Sequence, residues 1–394
     1  MHHPSEPTSS RRQFGGVDWR LFAGLVAGEA PRMFLIGTAP LLLSAFVDDR
    51  GFGEARASWL SSAELLSSAV IAVAVADWLT RKSRRSTARV GLALVLVAQL
   101  LSIARFDFIP LLALRVLAGV GAGFAGAAAT SAAAGTRNPE RVFASISFAT
   151  AMLGVITVGP IGMAIGRFGA AGAFVFSVVI CCVVFPFLTY LPAPRSAAAT
   201  AQTDRDDSNL LSALAILAAL FLFMLGQNAV WGFTARIGQS KGLEVEQISW
   251  ILAVTALAGL AGAATSAALG IRRGRMAPML FAIAGTVASI VLVVESESPL
   301  AFIVGNAAWT FLFAFSTPYF LGLLAALDSH GRWAAMGTGL AGIGAACGPA
   351  AVGASVEANG YRVLVTLMIV TGVATAAAVV PVLRRLDRES TNGS

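Results

Sequence analysis

The chain has 394 residues, of which 57% are hydrophobic and only 12% charged, with a net charge of +7 and a mean hydropathy of +0.77. A soluble domain carries about a quarter charged residues, so water is excluded as the solvent for most of this surface. The positive charge sits in short clusters between apolar runs, which excludes the continuous basic groove that nucleic acid needs.

A bilayer-spanning helix takes about 20 mostly apolar residues, and runs of that length recur about twelve times. In chain order they are Trp19 to Phe46, Ala57 to Leu79, Ala88 to Ile103, Phe108 to Ala134, Val142 to Ile165 and Gly169 to Leu191. A polar linker at 192–208 separates these from Leu210 to Arg236, Val245 to Gly270, Met276 to Val294, Leu300 to Leu327, Trp333 to Val356 and Arg362 to Leu383. The expected organisation is therefore an N-terminal tail (1–18), a six-helix bundle (19–191), the linker, a second six-helix bundle (209–384) and a tail (385–394). The first run is too long for a signal-peptide core and reads as a spanning helix. With the N-terminus inside, inner segments hold nineteen Lys and Arg residues and outer loops seven, which predicts cytoplasmic ends for both termini. Cys181, Cys182 and Cys347 all lie in apolar runs and read as small packing residues, not as a disulfide framework.

A repeat underlies these runs. Ser58-Trp59, one helix length, then Arg81-Lys82-Ser83-Arg84 is matched by Ser249-Trp250 and Arg272-Arg273-Gly274-Arg275 at a constant shift of 191 residues. Membrane proteins built from two parallel halves are commonly transporters, with the site where the halves meet.

Twelve spans in two halves, a polar central linker and a basic loop after spans two and eight resemble the major facilitator superfamily. The family's loop motif reads roughly G-x-x-x-D-(R/K)-x-G-(R/K)-(R/K). Asp77, Arg81 and Lys82 match it here, whereas Val73 and Thr80 stand in place of its glycines, and Ala268 takes the acid's place in the second half. The resemblance implies an all-α fold of two pseudo-symmetric six-helix bundles and a conformational gate at Asp77, Arg81 and Lys82. Two partial resemblances point to its drug–proton antiporters. Leu111 to Gly119, with Arg115 at its centre, is similar to a span-four motif tied to proton coupling. Gly159-Pro160 in span five, echoed by Gly348-Pro349 in span eleven, is similar to an antiporter motif. Read from the residues alone, each Gly-Pro pair is a helix kink that permits close packing.

Four ionisable residues fall inside the apolar runs: Glu29, Arg32, Glu64 and Arg115. Facing lipid, each would cost about 2.5–3.5 kcal/mol, so each is expected to face the bundle interior or a wet cavity. Glu29 and Arg32 share a helical face, as do Ser61, Glu64 and Ser68. At the 191 shift Arg115 becomes Asn306, and at a slightly larger shift Glu29 becomes Gln227. The first half thus carries charge where the second carries amides. The expected division gives proton coupling to Glu29, Arg32, Arg115 and Glu64. Substrate binding falls to Gln227, Asn228, Trp231, Asn306 and Trp309, an amide and aromatic set suited to small amphipathic ligands. A permanent Glu–Arg pair that only fixes packing is the alternative for the charges, and plain packing the alternative for the tryptophans.

The reading that follows is a proton-coupled secondary transporter of a small organic molecule in a bacterial cytoplasmic membrane, with export placed ahead of uptake. Uptake of a small organic acid by proton symport, with Arg32 or Arg115 on the carboxylate, is the second reading. A non-transporting membrane sensor or scaffold is the third. No nucleophile–base pair, phosphate-binding loop or metal-ligand cluster occurs, so neither an enzyme nor a cofactor is expected. The expected partners are the substrate, protons and the bilayer, with the chain a monomer and no nucleic acid bound.

Overall fold

The structure, a computed structural model, describes residues 13–14, 16–75, 79, 83–192, 210–270, 274–327 and 332–392. A short antiparallel hairpin, β1 (Gln13–Phe14) with β2 (Val17–Asp18), leads into α1 (Trp19–Asp48). The Asp18 carboxylate accepts from the Arg20 amide and so caps that helix. Then come α2 (Glu54–Ala74), α3 (Arg84–Ser102), α4 (Phe108–Ala134) and α5 (Pro139–Val184), the last followed by a 3-10 turn at Phe185–Tyr190. The second half contributes α6 (Leu210–Ser240), α7 (Val245–Leu269), α8 (Met276–Glu295), α9 (Pro299–Ala326), α10 (Arg332–Asn359) and α11 (Arg362–Asn392). Among the described residues eleven helices are long and apolar enough to cross a membrane, and the architecture is that of an all-α membrane protein.

The fifth and sixth expected spans emerge as one element, and a single residue explains why. Helix α5 has 46 residues, about 69 Å at helical rise, over twice the hydrocarbon thickness. At Gly169 the backbone turns to φ 60°, ψ −151°, and helical hydrogen bonding resumes at once. The chain folds back there: a Cβ built on Gly172 would lie 2.1 Å from the Ala164 carbonyl oxygen. Val142 and Ile146 from its start share a core with Cys181 from its end, while Ile165 and Phe174 near the bend share another. Only glycine adopts that backbone conformation without strain, so two helical membrane passages follow each other with a single non-helical residue, Gly169, at the bend between them.

The repeat extends beyond the Ser-Trp and basic positions that first reveal it. Positive-φ glycines Gly51 (71°) and Gly242 (81°) are 191 residues apart, as are Gly169 (60°) and Gly360 (74°). Arg50 donates to the carbonyls of Ser102, Ile103 and Ala104 at the end of α3. Lys241, at the same shift, donates to those of Val294 and Ser296 at the end of α8. Each cation satisfies carbonyls that a helix C-terminus leaves free, at the negative end of its dipole. Burial lowers the pKa of both bases, opposed by Asp49 beside Arg50 and by Glu297 and Glu295 beside Lys241.

Three apolar cores result. One lies wholly in the first half, around Leu25, Leu92 and Leu188, and one wholly in the second, around Leu220, Phe320 and Leu383. The third joins the halves, through Leu43, Phe46, Leu60 and Ile161 with Val230, Phe233, Leu252 and Val352. It lies toward the end that carries the four positive-φ turns, called distal below. The helix pairs that meet across the halves are α1 with α6, α2 with α10, and α5 with α7.

Candidate functional site

The four charges expected inside the membrane form two separate pairs. Glu29 and Arg32 lie one turn apart on α1, and the Glu29 Oε2 accepts from Arg32 Nε at 3.0 Å and Nη2 at 2.7 Å. The other carboxylate oxygen accepts from Thr130 Oγ1 of α4 at 2.7 Å. Helices α1 and α4 come this close because Gly28 abuts Ala129, a Cβ on the glycine falling 2.7 Å from that of the alanine. The pair is asymmetric in exposure: the Glu29 side chain is 8% accessible and that of Arg32 37%.

The second pair is sealed. Arg115 of α4 is fully buried, and its Nη1 donates to Glu64 Oε1 of α2 and Gln99 Oε1 of α3, both at 3.1 Å. Its Nη2 donates to Ser102 Oγ, and its guanidinium carbon lies 4.7 Å from the Phe174 ring centroid. Arg115 is thus bonded to Glu64 and not to Glu29, and it faces the interior of the first half. Ser61 and Ser68, which flank Glu64 on the same face, are buried with their hydroxyls unpartnered. Gln99 and Ser102 went unnoticed in the sequence because single polar residues in an apolar run carry no periodic signal.

In the second half the expected substrate residues gather on α6 and α9. Trp309 Nε1 donates to Gln227 Oε1, and the Trp309 and Trp231 rings meet edge to face at 6.1 Å. Trp231 Nε1 donates across the halves to the Ile36 carbonyl of α1 at 2.8 Å. Asn228 and Asn306 turn their amide nitrogens back onto Met224 and Phe302 carbonyls of their own helices. Two polar atoms then remain buried without a partner, the donor Gln227 Nε2 and the acceptor Asn306 Oδ1.

Both Gly-Pro helices meet the helix that carries the repeated Ser. A Cβ on Gly162, two residues after Pro160, would fall 1.9 Å from Ser249 Oγ; one on Gly353, four after Pro349, would fall 2.0 Å from Ser58 Oγ. Gly162 and Gly353 differ by 191, as do Ser58 and Ser249, so the two contacts exchange under the repeat. A Cβ on Gly159 would fall 2.6 Å from the Trp250 ring, whereas Gly348 lets α10 approach the α6 backbone at Leu225 within its own half.

A polar network outside the expected set covers the distal end. Arg236 Nη1 of α6 donates to Asp48 Oδ1 at 2.6 Å, and its Nε to Glu54 Oε1 at 3.4 Å. Gln239 Nε2 donates to Asp48 Oδ2, and Ser44 Oγ donates to Gln239 Oε1. The Tyr361 hydroxyl donates to Glu54 at 2.5 Å, and Glu357 accepts from the Ala55 amide in the first turn of α2. Burial and the Glu54 carboxylate push the Tyr361 pKa up, which keeps the phenol a donor. Every one of these bonds crosses between the halves. In the sequence these residues read only as loop charges at span ends. The expected gate at the other end, Asp77, Arg81 and Lys82, lies outside the described residues, as do the repeated Arg272 and Arg273.

The family model described as the Major Facilitator Superfamily matches residues 30–326. No curated protein matches the sequence. Solved structures with the same fold include a peptide transporter in complex with sulfate (TM-score 0.76, 13% identity, covering 95% of this chain and 97% of that one). A nucleoside transporter follows at 0.72 and 13%, over 93% and 99% of the two chains. A D-xylose–proton symporter matches at 0.71 and 13%, over 92% and 96%.

Proposed function

The chain belongs to the major facilitator superfamily, and we propose that it is a secondary transporter that couples the movement of a small organic molecule to protons through Glu29. The observation that carries this is the setting of that carboxylate. It is nearly buried, one oxygen is held by Arg32 of its own helix, and the other by Thr130 of α4. A carboxylate in a dry site holds a proton or sheds it according to whether its counter-charge is present. Arg32, one-third exposed, is free to swing toward a substrate or solvent, and that movement changes what Glu29 experiences. Arg115 and Glu64 are locked into a four-residue cluster, and in this reading they hold α2, α3 and α4 together instead of carrying the proton.

Substrate binding falls to the second half. Gln227 Nε2 and Asn306 Oδ1 are the uncommitted donor and acceptor beside two tryptophan rings, and a polar ligand group that satisfies both gains what the empty site lacks. The two units rock about the α2–α10 and α5–α7 seams, with the distal network broken when that end opens. We place export by antiport ahead of uptake on the likeness of Gly159-Pro160 to antiporter sequences. Uptake of an organic acid is favoured by one observation, the part-exposed Arg32 guanidinium, which can take a carboxylate once it leaves Glu29. The solved relatives that transport peptides, nucleosides and xylose support transport of a small polar solute in general.

The test is flux in proteoliposomes under an imposed pH gradient, with Glu29→Gln beside the natural chain. Substrate movement against a proton gradient that Glu29→Gln reduces to gradient-independent exchange is expected. Full gradient-driven flux in Glu29→Gln overturns the assignment, and the direction of the gradient that drives accumulation decides between export and uptake.

A further inference from the structure

Helix α1 contains Pro40, which has no amide hydrogen, so the carbonyl of Ile36 four residues earlier has no helical partner to accept from. That carbonyl is the one to which Trp231 of α6 donates, at 2.8 Å. An unpaired carbonyl at this depth in a membrane protein must find an acceptor's partner elsewhere, and here the partner comes from the opposite half. At the second seam a proline also stands beside an inter-half bond, but there the backbone group is a donor. Ala350, the residue after Pro349 on α10, turns its amide to Ser62 Oγ of α2 at 3.0 Å. Two helix prolines, one in each half, thus stand at backbone groups that bond across the halves.

We infer that Pro40 is a positioning residue of the transport cycle: by denying Ile36 its helical hydrogen bond, it presents that carbonyl to the Trp231 indole as the innermost bond of the closed distal end. The bond belongs to one state by construction. When α1 and α6 separate, the indole and the carbonyl both lose their partner, and closure restores it. The next inter-half bond between the same helices, Ser44 to Gln239, sits two turns further out and keeps the same register, 195 residues apart in each case. Between the two levels Leu43 is fully buried, 3.7 Å from where a Cβ on Gly232 would lie. Trp231 accordingly serves closure first. Its ring contributes to the ligand surface, while its N–H is already spoken for.

The inference is tested without substrate, so its outcome is separate from that of the proton-coupling reading. In a chain with Cys181, Cys182 and Cys347 replaced by serine, Leu43→Cys reports opening of the distal end through its rate of modification by a membrane-impermeant thiol reagent. Trp231→Phe keeps the ring against Trp309 and removes the N–H. Pro40→Ala, a change that favours helix, returns an amide to Ile36 and competes for its carbonyl. Each is expected to raise the labelling rate several-fold, and the two together are expected to raise it no further than either alone, because both remove one and the same bond. Multiplying effects in the double variant overturn the inference, as does an unchanged rate with Pro40→Ala. If Pro40→Ala slows labelling, Pro40 acts as a bend that holds the end open, and the inference fails for that reason.

Discussion

At the shift that relates the halves, the buried cluster Glu64, Gln99, Ser102 and Arg115 becomes Thr255, Ile290, Val293 and Asn306. The first half ties α2, α3 and α4 together with an ion pair and two further hydrogen bonds to Arg115. The second half fills the same position with Ile290 and Val293, both fully buried, while Thr255 and Asn306 bond only to their own helices. One backbone plan therefore tolerates two solutions to the same packing problem. Neither membrane topology nor fold requires the charges. What they add is a set of directional bonds between three helices, whereas at the equivalent position the other bundle relies on van der Waals packing and leaves an amide oxygen free.

This comparison predicts its own largest effect. Arg115→Asn, which installs the second half's residue alone, strands the Glu64 carboxylate in a dry interior. Breaking a buried pair from one side costs about 3–5 kcal/mol, so a large fall in the detergent melting temperature is expected. Adding Glu64→Thr removes the stranded charge and makes the first half resemble the second, and the double variant is expected to recover most of the loss. Asn306→Leu, at the equivalent place, costs no more than about 1 kcal/mol, since its one bond is to its own helix. A double variant as unstable as Arg115→Asn alone would show that the cluster is more than a packing solution.

The next effect tests the exchange-related contacts at the two seams. Alanine at position 162 places its Cβ 2.2 Å from the Ser249 Cβ, which cannot rotate away, so a backbone must shift. At position 353 the conflict is chiefly with the Ser58 hydroxyl, and the nearest carbons stand at 3.0 and 3.1 Å. Overpacking of this kind costs about 1–3 kcal/mol. Gly162→Ala is expected near the upper end and Gly353→Ala near the lower, measured by thermal unfolding, with Ser249→Gly rescuing only the former. Equal penalties would mean that the α5–α7 and α2–α10 seams adjust alike, contrary to the tighter approach at Ser249.

Much of this was legible before any coordinates, and the boundary between what was and was not has a physical basis. The all-α class follows from hydropathy, because lipid forces each segment to satisfy its own backbone, whereas about twelve spans were expected and eleven long apolar helices are found among the described residues. The repeat did not name the partners of its own residues: that Ser58 and Ser249 each meet a glycine of the opposite half emerges only from the structure. The pairing of charges was not legible. Glu64 lies 51 positions from Arg115, and nothing in one sequence indicates that Arg115 bonds there and not to Glu29. The distal network escaped for a related reason. Asp48, Glu54, Arg236 and Tyr361 stand at helix ends, where charge counts only toward topology, and only the meeting of four helices makes them one cluster. Trp231 shows a third limit: its helical face was predictable from Gln227, but its hydrogen bond depends on what Pro40 does to another helix.

The smallest effect concerns a position where both halves use the same device. Arg50 and Lys241 each cap a helix in their own half, the first with three hydrogen bonds to successive carbonyls and the second with two. A cation at a helix C-terminus contributes about 0.3–1 kcal/mol, rising to about 2 where it is partly buried. The Arg50 guanidinium has a second contact, since it also stands beside Asp49, whose other contacts reach Arg105 and the Ala170 amide just past the Gly169 bend. Arg50→Met therefore loosens the end of α3, and through Asp49 the turn inside α5, while Lys241→Met loosens the end of α8 alone. Hydrogen exchange of the last-turn amides should show both helices fraying, with Arg50→Met alone also exposing the amide of Ala170. If Lys241→Met frays α8 as far as Arg50→Met frays α3, the extra bond of the fork adds nothing, and the halves are equivalent at this position in energy as well as in geometry.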